Sequence, residues 1–283
     1  MIFVSSACIK GAGLEDSLRT LHKNSFSCIE CSGGARYEAD SEDILLRLKK
    51  ELGLQLLCHN YFPVPQVPFV LNLSSDSDEI YQRSIDHLKR ALDLSRNVGA
   101  GKFAFHAGFF IDILVKEIGK DVRCQDVADP VSSTARFIDA YKILKANTAG
   151  VKLYIENNAL SKSNKERFGR NPFMLLNAQD ILDLKRAIDF NLLLDVGHLK
   201  VSCVSLGLNL EKELAALMPM TDYIHISDND GTADQNRRLS RDSDLWRALG
   251  CFNLKDKTIT LEVYEGLDAV KESYDLLMEA VEC

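Results

Sequence analysis

The sequence predicts a single-domain (β/α)8 barrel over residues 1–283. The chain has 283 residues, 46% of them hydrophobic, which is ample for one large core. Short apolar runs alternate with longer segments of helical period, and this alternation is typical of a parallel sheet. Because eight such units follow one another, a closed barrel is favoured over an open doubly wound sheet. No glycine motif for dinucleotide binding supports the open sheet.

The eight predicted strands are short apolar runs, at 2–8, 26–31, 54–59, 102–107, 151–156, 191–196, 222–227 and 258–264. Amphipathic helices are predicted between them, most clearly at 79–98 and at 267–281. Two long loops are predicted after strands, at 157–177 and 228–242. In a barrel both loops lie at the C-terminal face, where active sites are built.

Composition excludes several classes of function. The net charge of −7 argues against a surface that follows a nucleic-acid backbone. No apolar stretch is long enough to span a bilayer, and the first residues lack the features of a signal peptide. We therefore expect a cytoplasmic protein with no membrane or nucleic-acid partner and with its eight cysteines as thiols. Cys28 and Cys31 lack the second pair that a zinc site requires.

Polar side chains end seven of the eight predicted strands. Alternate residues of a barrel strand point inward, and the parity of the flanking apolar residues places all seven polar residues inside. They are Glu30, His59, His106, Glu156, Asp195, His225 and Glu262. One such group alone is usually a satisfied buried polar residue, but seven at one end of a barrel indicate a site. Crowded carboxylates need compensation, and this donor set suits one divalent ion, namely Mn, Co, Zn or Fe, with Mg also compatible.

The stretch "NLLLDVGHLK" shows the pattern most clearly. Its apolar run ends at Asp195, Gly197 permits a sharp exit, and His198 is then able to point back over the strand end. Read alone, the stretch fits equally well with Asp195 as a helix cap and His198 as a surface residue. The polar residues at the tips of the other strands favour the interpretation of Asp195 and His198 as members of a functional site.

Four motifs in order, "YIENN", "LLDVGH", "IHISDNDGTAD" and "ITLEV", resemble the xylose isomerase-like TIM barrels. That family includes sugar isomerases and epimerases and the metal-dependent abasic-site endonucleases. In its isomerase branch, the resemblance implies that His198 holds a substrate oxygen and that one metal ion is bound by Glu156, Asp195, His225 and Glu262. In its endonuclease branch, the matches extend to further ligands at His59, His106 and Asp234, but Asn236 stands where a histidine is expected.

The predicted function is a metal-dependent isomerase or epimerase of a sugar or sugar phosphate. A bound metal would acidify a C–H next to the substrate carbonyl; one carboxylate would remove that proton to give an enediolate, and a second would return a proton. Glu156 and Glu262 are predicted as the acid–base pair. Substrate contacts are predicted for Glu30, His59, His106 and His198.

Basic residues in the two long loops suggest that the carbohydrate substrate is anionic. They are Lys162, Lys165, Arg167, Arg170, Arg237, Arg238 and Arg241, of which Arg170 and Arg237 are the predicted substrate contacts. Solvated loop charge is the alternative. Two other functions stay open: a phosphodiesterase resembling the abasic-site endonucleases, and a non-catalytic sugar-binding barrel. A homo-oligomer is compatible with the sequence.

Overall fold

The computed structural model describes residues 1–34 and 36–282. Eight parallel strands form a closed barrel in chain order, β1 to β8, so the predicted fold class is confirmed. The strands are β1 (Ile2–Ser5), β2 (Cys28–Cys31), β3 (Gln55–His59), β4 (Lys102–His106), β5 (Lys152–Glu156), β6 (Asn191–Asp195), β7 (Tyr223–Ile226) and β8 (Thr258–Leu261).

Helices follow the strands on the outside of the barrel. They are α1 (Leu14–Lys23), α2 (Ser41–Leu52), α3 (Asp78–Asn97), α4 (Pro130–Lys145), α5 (Lys162–Phe168), α6 (Ala178–Ala187), α7 (Val196–Leu206), α8 (Leu210–Leu217), α9 (Asp244–Leu249) and α10 (Leu267–Glu282). The helices predicted at 79–98 and 267–281 are confirmed to within one residue at each end. The strand predicted at 2–8 is shorter than expected, because Ser6–Cys8 forms a turn of 3-10 helix.

The first of the two predicted long loops contains a helix, which corrects that prediction. Helix α5 begins where the Ser161 side chain accepts a hydrogen bond from the backbone N–H of Asn164. It ends at Gly169, whose φ of 66° is the left-handed conformation that commonly ends helices. The second loop holds no helix or named strand between β7 and α9, where every residue is described, and a bridge between Asp228 and Arg237 closes it.

Large aromatic side chains fill the lower part of the barrel interior. The rings of Tyr154 and Tyr223 meet edge to face with their centroids 5.3 Å apart. The hydroxyl of Tyr154 donates to Asp222 at 2.8 Å, at the N-terminal end of the barrel. Because the lower interior is packed, open space lies at the C-terminal end, above the strand tips.

Two further properties concern the cysteines and the helices. Cysteines 8, 28, 31, 58, 124, 203 and 251 are free. Across the described residues, no helix combines the length and the apolar composition needed to cross a bilayer.

Candidate functional site

Glu156, at the end of β5, lies at the centre of the strand tips. Its Oε2 is 2.7 Å from Nε2 of His59 and 3.2 Å from Nδ1 of His106. Its Oε1 is 3.5 Å from Nδ1 of His225. Burial alone would raise the pKa of Glu156, but the imidazoles of His106 and His59 outweigh it and hold that pKa well below its usual range. Glu156 is therefore an ionised carboxylate in contact with three histidines.

His225, at the tip of β7, is fully buried between three carboxylates. Its Nδ1 lies 3.5 Å from Oε1 of Glu156 and 3.5 Å from Oε2 of Glu262. Its Nε2 lies 2.9 Å from Oε1 of Glu30, although the pair is not aligned as a hydrogen bond. The other oxygen of Glu30 accepts hydrogen bonds from the hydroxyls of Tyr223 and Thr260.

Glu30 thus lies below the site rather than inside it. Its carboxylate is fully buried and surrounded by barrel side chains, so it does not have the access to substrate that we expected from its inward parity. The physical reason is depth: in the β2–β3 register Glu30 pairs with Leu57, two residues before His59.

Asp195 caps a helix, as one interpretation of its motif predicted, but His198 is not the surface residue that the same interpretation expected. Oδ1 of Asp195 accepts the backbone N–H of His198 at 2.7 Å and so caps helix α7. His198 is nevertheless buried, with Nδ1 donating to the carbonyl of Asn157 at 2.9 Å. Its Nε2 lies 3.3 Å from Oδ2 of Asp234 and 3.8 Å from Oδ2 of Asp195. Burial, opposed by His198 and assisted by Glu156, raises the pKa of Asp195 to about 7.

Potential ligand atoms converge in three overlapping sets, each with its atoms within 4.8 Å of one another. The sets are Glu30, His59, His225 and Glu262; His59, His106 and Glu156; and Glu156, Asp195 and His198. The four predicted ligands do not form one such set. Glu156 and Asp195 share one, His225 and Glu262 share another, and the contact between Glu156 and His225 links the two.

The chemistry of these residues fits a divalent cation. Carboxylate oxygens and imidazole nitrogens are suitable donors for several transition metals. Oε1 of Glu156 and Nδ1 of His225 are buried without a hydrogen-bond partner. Leaving such groups unpaired in the interior is costly, and coordination would satisfy them.

A cavity of about 410 Å³, which we name the larger mouth cavity, opens above the strand tips. Its lining includes the polar residues His59, His106, His198, Asp234, Asn236, Glu262 and Tyr264. A second cavity of about 210 Å³ lies beside it and shares His106, His198 and Asp234. Glu262 therefore faces the cavity, whereas Glu156, Asp195 and His225 do not line it. Burial would raise the pKa of Glu262, but His225 lowers it to about 2, so Glu262 is ionised.

The predicted cluster of basic residues does not form over the mouth. Arg237 pairs with Asp230 at 3.0 Å, and Arg170 donates to the carbonyl of Val127 and lines a separate cavity beside Phe110. Neither arginine lines the two mouth cavities. Because local carboxylates and carbonyls satisfy these cations, the structure gives them no position from which to hold an anionic substrate.

Two residues at the site escaped the sequence predictions. The hydroxyl of Tyr264 lies 3.5 Å from Oε1 of Glu262, and its position two residues after Glu262 was the available signal, since alternate residues share a face. The side chain of Asn157 bridges β5 and β6, accepting the N–H of Asp195 at 2.8 Å and donating to the carbonyl of Asp195 at 3.0 Å. Asn157 thereby fixes the backbone that carries Asp195.

Comparison with known proteins places this geometry in context. No curated protein matches the sequence. A structure described as a D-tagatose 3-epimerase-like protein superposes with a TM-score of 0.74 and 15% identity, covering 99% of this chain and 97% of the other. The 3-keto-D-glucoside 4-epimerase of E. coli gives 0.68 and 15%, covering 100% and 99%.

Endonuclease IV from Thermus thermophilus shares the same fold, with a TM-score of 0.62, 14% identity, and coverage of 99% of this chain and 98% of that one. Identities this low establish a common fold and do not identify a reaction. The sequence profile of the xylose isomerase-like TIM barrels matches residues 18–270, which is most of the chain. The protein therefore belongs to the xylose isomerase-like TIM barrel family.

Proposed function

We propose that the protein is a metal-dependent isomerase or epimerase of a carbohydrate. The observation that carries the proposal is the buried group formed by Glu156, His225 and Glu262, in which Nδ1 of His225 lies 3.5 Å from both carboxylates. Together with Asp195, these residues would hold one divalent ion. Glu262 connects this group to the larger mouth cavity, because its side chain lines that cavity. The cavity has a size that suits a small molecule, since small-molecule binding sites measure roughly 300–1,000 Å³.

A bound divalent ion supplies Lewis-acid polarisation of a sugar carbonyl and of the hydroxyl beside it. Glu262 is ionised and lines the cavity, so it is placed to take the proton from the carbon next to that carbonyl, giving an enediolate. Glu156 is proposed as the second carboxylate, although it is buried outside the lining of the larger mouth cavity: its Oε2 is held by His59, and its Oε1 has no hydrogen-bond partner. Each proton transfer of this kind contributes roughly 10²–10⁴-fold to the rate.

The polar groups around Glu262 suit the hydroxyls of a neutral sugar. His59, His106, His198 and Tyr264 all reach the larger mouth cavity, where imidazole and phenol groups can orient a polyol. Burial lowers the pKa of His106 to about 4, so this imidazole is neutral and can both donate and accept a hydrogen bond. The sugar epimerases among the similar folds support the same class of reaction.

Deuterium exchange tests the proposal. The metal-loaded protein is incubated in D₂O with a panel of ketoses and aldoses, and proton NMR follows loss of the C–H signal next to the carbonyl. We expect exchange with at least one sugar, and its loss in Glu262→Gln and Glu156→Gln. Glu265→Gln is the matched control, since Glu265 is exposed and contacts Arg238. Sugar binding without any exchange would instead indicate a non-catalytic sugar-binding barrel.

A second candidate, hydrolysis of phosphodiesters at abasic sites, rests on the ligand set of His59, His106 and Glu156, which overlaps the other two. Two features disfavour it. Nδ2 of Asn236 donates to Oδ2 of Asp234 at 3.2 Å, so an amide stands beside that carboxylate, and an amide is a poor zinc ligand. The net charge of −7 also opposes contact with a polyanion. Incubation with an abasic duplex distinguishes the two candidates, because only the phosphodiesterase cleaves it.

A further inference from the structure

The larger mouth cavity has two chemically distinct parts. Its polar floor is formed by the strand-tip residues described above. Its outer wall, which we name the apolar rim, consists of Val64, Pro65, Pro68, Phe69, Val115 and Ile118. The rim comes from the loops that follow β3 and β4. A sugar seated on the floor would therefore have an apolar wall at its far end.

Two rim side chains are exposed to a degree that is unusual for their type. Val115 and Ile118 are each 46% exposed, and their neighbours Leu114 and Val67 are 42% and 61% exposed. Large apolar groups from two loops thus surround one opening. Contiguous exposed apolar surface of this kind marks binding sites, whereas isolated exposed residues are common.

The apolar rim offers no charge for an anion, because neither lysine nor arginine occurs among the described residues that line the larger mouth cavity. Arg83 is near the rim, but its guanidinium stacks on the ring of Phe69 at 4.2 Å and donates to the carbonyl of Val67, outside the lining. A phosphate in the outer part of the cavity would lose its hydration without gaining an ion pair.

We infer that the substrate is a neutral sugar with a free carbonyl that carries an apolar substituent on a distal hydroxyl, such as an alkyl or aryl ether. The sugar occupies the polar floor and the substituent packs on the apolar rim. This inference rests on the proposed function, because it requires a sugar at the floor. Burial of the substituent is favourable by roughly 25 cal/mol per Å² of apolar surface, so a phenyl group is expected to bind roughly tenfold more tightly than a methyl group.

Calorimetric titration of the metal-loaded protein tests the inference. The ligands are matched methyl and phenyl ethers at the 6-hydroxyl of glucose, galactose and mannose, each with a free anomeric carbonyl, with glucose 6-phosphate for comparison. The expected result is a phenyl compound that binds about tenfold more tightly than its methyl partner. In the double variant Val115→Ser, Ile118→Ser this preference should largely disappear. It should persist in Val131→Ser, which changes a residue on α4 that is 79% exposed and lies outside the cavity lining.

Each other outcome has a distinct meaning. Equal binding of methyl and phenyl partners would overturn the inference and leave the proposed function intact, as would tightest binding of glucose 6-phosphate. Binding of none of these compounds to the metal-loaded protein would contradict both. Sedimentation of the wild type and the double variant covers one further case: a dimer that only the double variant dissociates would assign the rim to a subunit interface and overturn the inference.

Discussion

Oε1 of Glu30 lies 2.9 Å from Nε2 of His225, on the side of the imidazole that faces away from Glu156 and Glu262. With Nε2 facing Glu30, the other ring nitrogen is directed to the two candidate ligands. In metal sites a carboxylate on the outer nitrogen of a ligating histidine fixes the ring and raises its basicity. Glu30 is therefore a positioning residue for His225 in the proposed site.

Glu30→Gln should weaken metal binding by about 10–100-fold, because loss of such a partner has that effect in known sites. Competition titration of the purified protein with a chelating dye measures the affinity. Glu42→Gln serves as control, since Glu42 contacts Asn97 at the surface. An unchanged affinity in a variant that keeps the wild-type melting temperature would show that Glu30 does not act through His225.

Glu262→Gln should reduce metal content as well as proton exchange. The substitution replaces an ionised oxygen donor by a neutral amide, which transition metals bind poorly. Elemental analysis of the wild type, of Glu262→Gln and of the control Glu265→Gln gives the answer. If the first two proteins carry the same amount of metal with the same affinity, Glu262 is not a ligand.

Arg170→Ala and Arg237→Ala should leave KM for a neutral sugar within about twofold of wild type, because loop charges paired to local partners contribute little. The sequence alone led to the opposite expectation. Steady-state kinetics with a sugar and its phosphate ester separates the two interpretations. A KM that rises in these variants for the phosphate ester alone would restore the anionic substrate.

The metal count is expected to be one. Asn236 removes an imidazole from the region of Asp234 and His198, and a third ion would be held too weakly to fill its site. His59 and His106 are then available to bind sugar hydroxyls. Anomalous scattering at the metal edge counts the ions directly. Three peaks together with cleavage of an abasic duplex would favour DNA repair over isomerisation.

Asp222, at the opposite end of the barrel, should make stability depend on pH. Burial would raise its pKa, but hydrogen bonds from Lys152 and Tyr154 lower it to about 2. Since the folded pKa lies below the unfolded one, the stabilisation is complete above about pH 4 and is lost as the pH falls towards 2.

Urea denaturation of Asp222→Asn at neutral and at acid pH tests this. The variant should be less stable near neutrality by up to about 1 kcal/mol, a value already reduced for solvent screening of a half-exposed group. The difference should shrink in acid. Asp189→Asn, at an exposed ion pair with Lys145, is the control. A deficit of equal size at both pH values would show that the carboxylate charge is not the cause.

Strand parity predicted the inward residues because a barrel repeats every second residue on one face. His106 and Glu156 do pair in register, as do Asp195 and His225. Depth was not predictable, since it depends on the stagger between strands, and for this reason Glu30 lies a layer below His59.

Contacts between side chains that are distant in sequence could not be predicted either. Arg238, for example, pairs with Glu265 and Glu272. These two residues follow β8 in the chain, and Glu272 lies on α10. Helix α5, in contrast, carried readable signals. Ser161 and Gly169 are residues that commonly cap the start and the end of a helix. The basic residues between them favoured a substrate-binding loop over a helix in the sequence interpretation.

The double role of Asp195 limits what can be concluded from related sequences. Its Oδ1 caps helix α7 while its Oδ2 faces His198, so one side chain serves both local folding and the proposed site. Asp195→Ala would lower the free energy of unfolding by about 1 kcal/mol through loss of the helix cap, in addition to removing a candidate metal ligand. Asp195→Asn would keep the cap. A relative without metal chemistry would still gain stability from an oxygen-bearing side chain at this position. Asp or Asn there is consequently expected for the fold, and only together with Glu156, His225 and Glu262 does it indicate the proposed reaction.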